Sequence, residues 1–463
     1  MEKQTRREFL KRMGVAAGMS FVLPGCTSMA QKKGEERKQP NIVVIIGDDM
    51  GYADISCHGC KDIATPNIDS IARNGVRFTN GYVSCPVCSP TRAGLMTGRY
   101  QQRFGHEFNP GAPPGGAAEN IGLPLTEATI ADVLKSAGFT TGIVGKWHLG
   151  MAAHFHPMKR GFDQYFGFLH GSHSYTDPGL GSTNPIMRGT EPADEKEYLT
   201  DAFTREAVAF IEKHREKPFF LYLAYNAVHV PLEAPPRYQD KFQDITDPKR
   251  RIYAGMMTAM DEGIGRVLGK LRELGIEKNT LIFFLSDNGG PTGGNGSNNG
   301  PLRATKGTVY EGGIRVPFMI QWTGRLKGGR VCENPVISLD ILPTAAAAAR
   351  QNVFAGPKDR KLDGVNLLPY LAGEKKSAPH EMLFWRTGQN HAIRKGSWKL
   401  VTIGGRTELF DLASDIGESR DLKAEKPDIV KELEKAFEKW SLQMVEPLWG
   451  GRAAKPKKPD KKA

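Results

Sequence analysis

Short apolar runs recur along this chain, and each is followed by polar residues able to do chemistry. Asn41 to Ile46 is almost wholly aliphatic and ends in Gly47-Asp48-Asp49-Met50-Gly51. Thr140 to Val144 ends in Gly145-Lys146-Trp147-His148. Phe219 to Tyr225 leads to His229-Val230-Pro231, and Thr280 to Leu285 leads to Ser286-Asp287-Asn288. Apolar runs this short and this continuous predict strands buried on both faces of a parallel sheet. Val76 to Val83 and Val316 to Trp322 read as further strands. Helices are predicted from Pro66 to Arg73, Thr126 to Ala137, Thr200 to His214, Ile252 to Leu274 and Ser338 to Arg350. Strands alternating with helices predict an α/β fold: a large mixed, mainly parallel sheet sandwiched by helices. Open α/β sheets bind ligands at the C-terminal ends of their strands, so the polar residues above converge without further assumption.

The pattern changes near residue 380. His391 to Ile403 and Thr407 to Asp411 read as short strands around a turn at Gly404-Gly405, and Pro427 to Met444 as an amphipathic helix. The expected organisation is a main domain over 41–375 and a smaller antiparallel sheet-plus-helix unit over 376–450.

The chain has 463 residues and a formal charge of +12, but most of that charge sits at its ends. The first 12 residues carry a net +3, residues 32–38 a net +2, and the tail from Arg452 a net +5. The body is close to neutral, so the basic balance is no argument for nucleic acid. Arg6-Arg7-Glu8-Phe9-Leu10-Lys11 precedes an apolar run from Gly14 to Leu23, too short to span a bilayer. The order resembles a twin-arginine export signal over residues 1–30. Leu23-Pro24-Gly25-Cys26 resembles a lipobox, which makes Cys26 a lipid-anchor candidate; soluble release is the alternative. A polar linker (31–40) follows, and the tail (451–463) reads as disordered. The expected location is periplasmic or cell-surface.

Cys88-Ser89-Pro90-Thr91-Arg92 stands ahead of an apolar helical start that ends Thr97-Gly98-Arg99. Pro90 suits the first turn of a helix, so Cys88 is expected at a helix N-terminus, where free N–H groups favour an anion. Arg92, one turn on, returns to the same side. A nucleophile, an anion nest and a fixed cation are what attack on a sulfate or phosphate ester requires. Adjacent carboxylates at Asp48 and Asp49 would repel unless a cation lay between them, and oxygen donors point to calcium or magnesium. Cys57-x-x-Cys60 and Cys85-x-x-Cys88 have zinc-like spacing, but the first pair lies in a loop and Cys88 has this other use. In an oxidising compartment, a disulfide among Cys57, Cys60 and Cys85 stays open.

The Cys88 stretch resembles the signature of type I sulfatases, members of the alkaline-phosphatase-like superfamily, and the resemblance runs from about Asn41 to Leu422. It implies a sulfatase acting on sulfate monoesters; together with the export signal and candidate lipid anchor, this makes sulfated polysaccharides or oligosaccharides the expected substrates. It implies that a maturation enzyme oxidises Cys88 to formylglycine, whose hydrate is the nucleophile. It also implies that Asp48, Asp49, Asp287, Asn288 and residue 88 bind calcium. By the same resemblance, Lys146, His148, His229 and Lys306 hold the sulfate and move protons, with His148 as base and His229 or Lys306 as acid, and Arg92 orients the hydrate. His106, Glu107, Asn109, His170, His173 and Tyr175 are candidate rim residues. Two alternatives remain: a phosphodiesterase or phosphonate monoester hydrolase of the same superfamily, and a non-catalytic glycan-binding lipoprotein.

Overall fold

Ile42 to Ile46 form the centre of a seven-residue strand, β1 (Asn41–Gly47), every residue of which is buried. Each of these aliphatic side chains contributes roughly 1.5–3 kcal/mol by leaving water. The computed structural model describes residues 39–111, 117–351 and 361–450. The export signal with Cys26, nearly all of the linker and the basic tail lie outside the described residues. The described residues, from Gln39 to Gly450, belong to one compact unit.

Sixteen strands are described. In chain order β1 is followed by β2 (Val76–Phe78), β3 (Gly81–Tyr82), β4 (Thr140–Lys146), β5 (Gln164–Phe168), β6 (Met187–Arg188), β7 (Glu191–Pro192) and β8 (Phe219–Ala224). Then come β9 (Thr280–Ser286), β10 (Phe318–Gln321), β11 (Arg330–Cys332) and β12 (Val336–Ile337). The last four are β13 (Met382–Thr387), β14 (Asn390–Lys395), β15 (Trp398–Ile403) and β16 (Arg406–Asp411). The main sheet has the order β11-β2-β10-β9-β1-β8-β4-β5-β6-β7. Its central strands β9, β1, β8, β4 and β5 are parallel. The outer β10, β6 and β7 pair antiparallel to their inner neighbours, which makes the sheet mixed.

Alternation along the central strands sends side chains into two cores. Ile42, Val44, Ile46, Tyr222, Phe283 and Leu285 face α2 (Cys88–Thr97), α3 (Ile130–Ser136) and α6 (Ile341–Ala348). Val43, Ile45, Leu221, Leu223, Ile282 and Phe284 face α1 (Pro66–Arg73), α4 (Leu199–His214) and α5 (Pro248–Glu273). This is the expected sandwich.

Several boundaries differ from expectation for local reasons. The expected strand Val76–Val83 is two strands. At its middle, Thr79 N–H donates to Cys332 O and Val336 N–H to Asn80 O, so the chain leaves the main sheet and β3 pairs with β12. The helix expected from Thr126 starts at Ile130 because Thr129 and Asp132 form a reciprocal capping box. β5 is not among the expected strands; its five residues Gln-Tyr-Phe-Gly-Phe follow a turn at Arg160-Gly161 and carry little alternation.

The smaller unit is a four-stranded antiparallel meander, β13-β14-β15-β16. The expected strand His391–Ile403 is cut in two by Gly396, whose φ of 58° turns β14 into β15. β13 is an addition to the expected set. One face of this sheet packs Ile393, Leu400 and Leu409 on Val430 and Leu433 of α7 (Pro427–Ser441). The other face puts Leu383, Trp385, Ala392, Val401 and Phe410 into the main core.

Gly145 is one of two equally tight positions in the parallel sheet, with Gly167. Its φ is 114°, and a Cβ there would stand 1.9 Å from Ala224 O on β8. Gly145→Ala is expected to lower the unfolding free energy by more than about 1 kcal/mol from backbone strain alone, with the steric overlap added. Urea unfolding of the purified variant measures this; stability equal to that of the parent protein would contradict it.

Candidate active site

β1, β4, β8 and β9 run in one direction, and their C-terminal ends share one edge of the sheet. Asp48 and Asp49 follow β1, Lys146 ends β4, His229 lies beyond β8, and Asp287 and Asn288 follow β9. α2 begins at the same edge. Val87 is its extended N-cap, with φ −140° and ψ 155°, and Cys88 is its first residue. Pro90 is the third residue of the helix, where an N–H would have had no intrahelical partner. The helix therefore starts where the Cys-x-Pro spacing places it.

Cys88 is buried, and its Sγ lies 3.5 Å from Asp48 Oδ1 and 4.0 Å from Asp49 Oδ1. Lys306 Nζ is 3.3 Å from the same sulfur. Burial, and then the charge of Asp287, push the thiol well above its ordinary range, against the pull of Lys146 and Lys306. Cys88 is therefore a protonated thiol at neutral pH and a poor nucleophile as it stands.

Three cations meet three buried carboxylates around it. Lys146 Nζ donates to Asp48 Oδ2 at 2.5 Å. Lys306 Nζ is 2.6 Å from Asp49 Oδ1. Arg92 donates from Nε and Nη2 to Asp287 Oδ2 at 3.0 and 2.8 Å, and its Nη2 is 3.6 Å from Asp48 Oδ2. Arg92 thus reaches the site as expected, but it braces carboxylates; its Nη1 donates to Lys146 O. Burial would raise Asp48, but Lys146, His229 and Arg92 together hold it below its ordinary 3.8.

The two histidines arrive by different routes. Lys146 and His148 alternate in sequence and would face one side if the strand ran through both; β4 ends at Lys146, and His148 has a left-handed φ of 58°. Burial, and after it the charges of Lys146, Arg92, His229 and Lys306, push His148 well below its ordinary range. It is a neutral imidazole with an unprotonated ring nitrogen, its basicity weakened by burial and by the neighbouring cations. His229 is half-buried, with Nδ1 2.7 Å from Val230 O and Nε2 3.5 Å from Asp49 Oδ2. A carbonyl only accepts, so Nδ1 carries the proton and Nε2 faces the centre.

The rim residues divide. His106, Glu107 and Tyr175 are buried and hold the structure together. His106 bonds to Ser89, Glu107 pairs with Arg386, and Tyr175 Oη donates toward Asn226 O and His229 O. Their polar character suggested exposure, but each is consumed by an internal partner. His173 is also buried, with Nδ1 against Ser174 O. Asn109 is exposed and His170 half-buried. Neither Ser89 nor Asn226 stood out in the sequence; Ser89 fills the variable position of the Cys-x-Pro motif.

Ligand atoms of Asp48, Asp49, Cys88 and His229 all lie within 4.8 Å of one another. Asn288 donates from Nδ2 to Asp49 Oδ1 at 2.7 Å, while its Oδ1 is buried without a hydrogen-bond partner. An unpartnered buried amide oxygen beside carboxylates fits a cation that takes oxygen ligands. His229 Nε2 lies beside the set expected from sequence; Asp287 accepts from Arg92 and from Asp49 N–H, and its Oδ1, with that single bond, keeps a lone pair for a cation. Among the described residues all five cysteines are free thiols, with no disulfide.

Residues 40–351 match the sulfatase family. The chain is 35% identical over 381 residues to N-acetylgalactosamine-6-sulfatase of Mus musculus, covering 78% of this chain and 71% of that protein. It is 33% identical over 456 residues to arylsulfatase J of Mus musculus, covering 85% and 74%. Among solved structures, Ps i-CgsB in complex with k-i-k-neocarrahexaose superposes with a TM-score of 0.83 at 38% identity, covering 89% of this chain and 95% of that one. The chain belongs to the sulfatase family and has its alkaline-phosphatase-like fold. It is a sulfuric ester hydrolase rather than a non-catalytic glycan-binding protein.

Because Asp48 titrates lower in the folded chain than in the unfolded one, its charge stabilises the fold above the unfolded value and loses that effect as pH falls. In metal-free protein, Asp48→Asn is expected to cost most stability at neutral pH, and the cost should shrink below about pH 4. Urea unfolding across pH measures it. A cost that does not change with pH would contradict the assigned charge state.

Proposed function

We propose that the protein hydrolyses sulfate monoesters on a sulfated polysaccharide or oligosaccharide, with Cys88 converted to formylglycine and a calcium ion bound by Asp48, Asp49, Asp287, Asn288 and residue 88. One observation carries this reading: a buried thiol stands at the start of α2 with Asp48, Asp49 and Lys306 around its sulfur. Formylglycine supplies, as its hydrate, a hydroxyl nucleophile in place of that thiol, and calcium supplies positive charge for the sulfate oxygens. Lys146 and Lys306 reach the same point from two sides and bind the sulfate oxygens. Arg92 holds Asp287 and Asp48 in place. His148, being neutral, accepts a proton at residue 88. His229, its Nδ1–H committed to Val230, can donate from Nε2 to the leaving oxygen only as the imidazolium, giving up that proton as the ester bond breaks; Lys306 is the alternative donor. Loss of one preorganised donor of this kind costs on the order of 10²–10³ in rate.

A relative named as a sugar sulfatase, N-acetylgalactosamine-6-sulfatase, and a neighbour solved with an oligosaccharide, Ps i-CgsB with k-i-k-neocarrahexaose, support the carbohydrate substrate. The same proposal includes a maturation enzyme acting on Cys88. It also includes export through the twin-arginine machinery to the periplasm or cell surface, with Cys26 as the candidate anchor.

The test is a panel of defined sulfated oligosaccharides, with phosphate and phosphonate esters as controls, beside peptide mass analysis of residue 88. Sulfate release is expected, together with loss of sulfur at position 88 and an aldehyde that hydrazides trap. Preferred turnover of phosphonate esters, or full activity with an intact thiol, would overturn it.

The oxygen-rich donor set leads to a second expectation. Elemental analysis of active enzyme should find calcium, and Asp287→Ala should abolish both metal binding and turnover. Stoichiometric zinc without calcium would refute the metal assignment.

A further inference from the structure

Ser89 is fully buried and makes hydrogen bonds in two directions across the site. Its Oγ is 2.6 Å from the carbonyl oxygen of His148 and 2.7 Å from His106 Nε2. A hydroxyl has one proton, and a carbonyl can only accept, so Ser89 donates to His148. It must then accept from His106, which places the imidazole proton on Nε2. His106 is itself fully buried, and burial pushes it down to about 3, so its ring is neutral and carries that single proton. The chain of bonds therefore has one direction, from His106 N–H through the Ser89 hydroxyl to the His148 carbonyl.

Both ends of Ser89 are otherwise fixed. Its own N–H donates to Asn109 Oδ1 at 3.0 Å. His106 meets Trp449 edge-on at 4.7 Å, and Trp449 Nε1 donates to Phe108 O. His148 is one of the few non-glycine residues held at positive φ, a conformation that needs support from its surroundings. Its N–H donates to Leu169 O, and its ring is tight against Gly171, where a Cβ would stand 2.6 Å from Nε2. The remaining backbone constraint on His148 is the bond from Ser89.

We infer that Ser89 is a positioning residue: its hydroxyl, oriented by His106, fixes the left-handed His148 against the helix turn that carries residue 88. Ser89 follows residue 88 directly on α2, so this one bond sets the separation between the nucleophile position and the imidazole. The inference rests on the reading in which His148 accepts the nucleophile's proton.

The test compares Ser89→Ala, Ser89→Thr, His106→Phe and the Ser89→Ala/His106→Phe double variant with the parent enzyme. Each is checked for fold by circular dichroism, and rates are expressed per molecule converted at residue 88, as counted by peptide mass. On a soluble sulfated oligosaccharide that the parent turns over, Ser89→Ala is expected to lower kcat about 10- to 100-fold, the scale of a misplaced catalytic group. KM should change by less than about 3-fold if ground-state binding is untouched. Ser89→Thr, which keeps the hydroxyl, should recover most of kcat. His106→Phe should act in the same direction, and the double variant should be no worse than Ser89→Ala, because both cut one chain of bonds. Unchanged kcat in Ser89→Ala, or a loss only in KM, would overturn the inference, as would additive losses in the double variant. If Ser89→Ala fails to fold, His106→Phe reads the same chain from its other end, and an unchanged kcat there overturns the inference equally. A parent with no sulfatase turnover, or a fully active His148→Ala, would instead overturn the reading on which it rests.

Discussion

Three carboxylates packed at the end of a sheet must have their charge met before the sheet can close. Asp48, Asp49 and Asp287 are all buried, and Arg92, Lys146 and Lys306 meet them from a helix, a strand and a distant segment. Removing one partner from a buried ion pair leaves an uncompensated charge, at a cost of about 3–5 kcal/mol. The six groups therefore belong together or not at all. A chain that misplaces α2 or the Lys306 segment buries bare carboxylates, so the geometry of the site is also a condition of the fold.

Backbone conformation does as much as charge. Asp49 and His148 are held at φ of 61° and 58°, and Gly145 at 114°. A side chain in this region costs roughly 1–2 kcal/mol relative to ordinary backbone. The surroundings hold these residues in place: Asp49 N–H donates to Asp287 Oδ1, and His148 is pinned through its N–H and its carbonyl. The result is that side chains leave the strand ends in directions that regular strands would not allow. Such residues concentrate where binding and catalysis need them.

The smaller antiparallel sheet is part of the same scaffold. Trp385 donates to Val83 O, just ahead of the loop that leads into α2. Lys399 is buried between Glu311 and Glu418 at 2.7 and 2.8 Å. Arg303 stacks on Tyr310 at 4.0 Å and donates to Glu418 O. Tyr310 donates to Glu408 of β16, and Lys306 lies between Arg303 and Tyr310, so the segment that presents it is held at both sides by the C-terminal unit. A sheet far along the chain thus supports a cation at the centre of the site.

Much of this was legible in the residues themselves. Aliphatic runs such as Ile42–Ile46 leave no choice but burial on both faces, and so they revealed the parallel sheet, its edge and the polar residues gathered there. The Cys-x-Pro spacing placed the helix start, because proline tolerates only the first turn. Local chemistry of this kind needs no distant partner. What the sequence could not decide was whatever depends on one. Val76–Val83 reads as a single strand until Cys332 and Val336 draw its halves into different sheets. Lys146 and His148 look like alternating neighbours until Gly145 and a left-handed His148 redirect them. His106 and Glu107 look like surface polar residues until Ser89 and Arg386 claim them. Buried polar groups are chosen by the partners that satisfy them, and only the tertiary structure brings those partners within hydrogen-bonding distance.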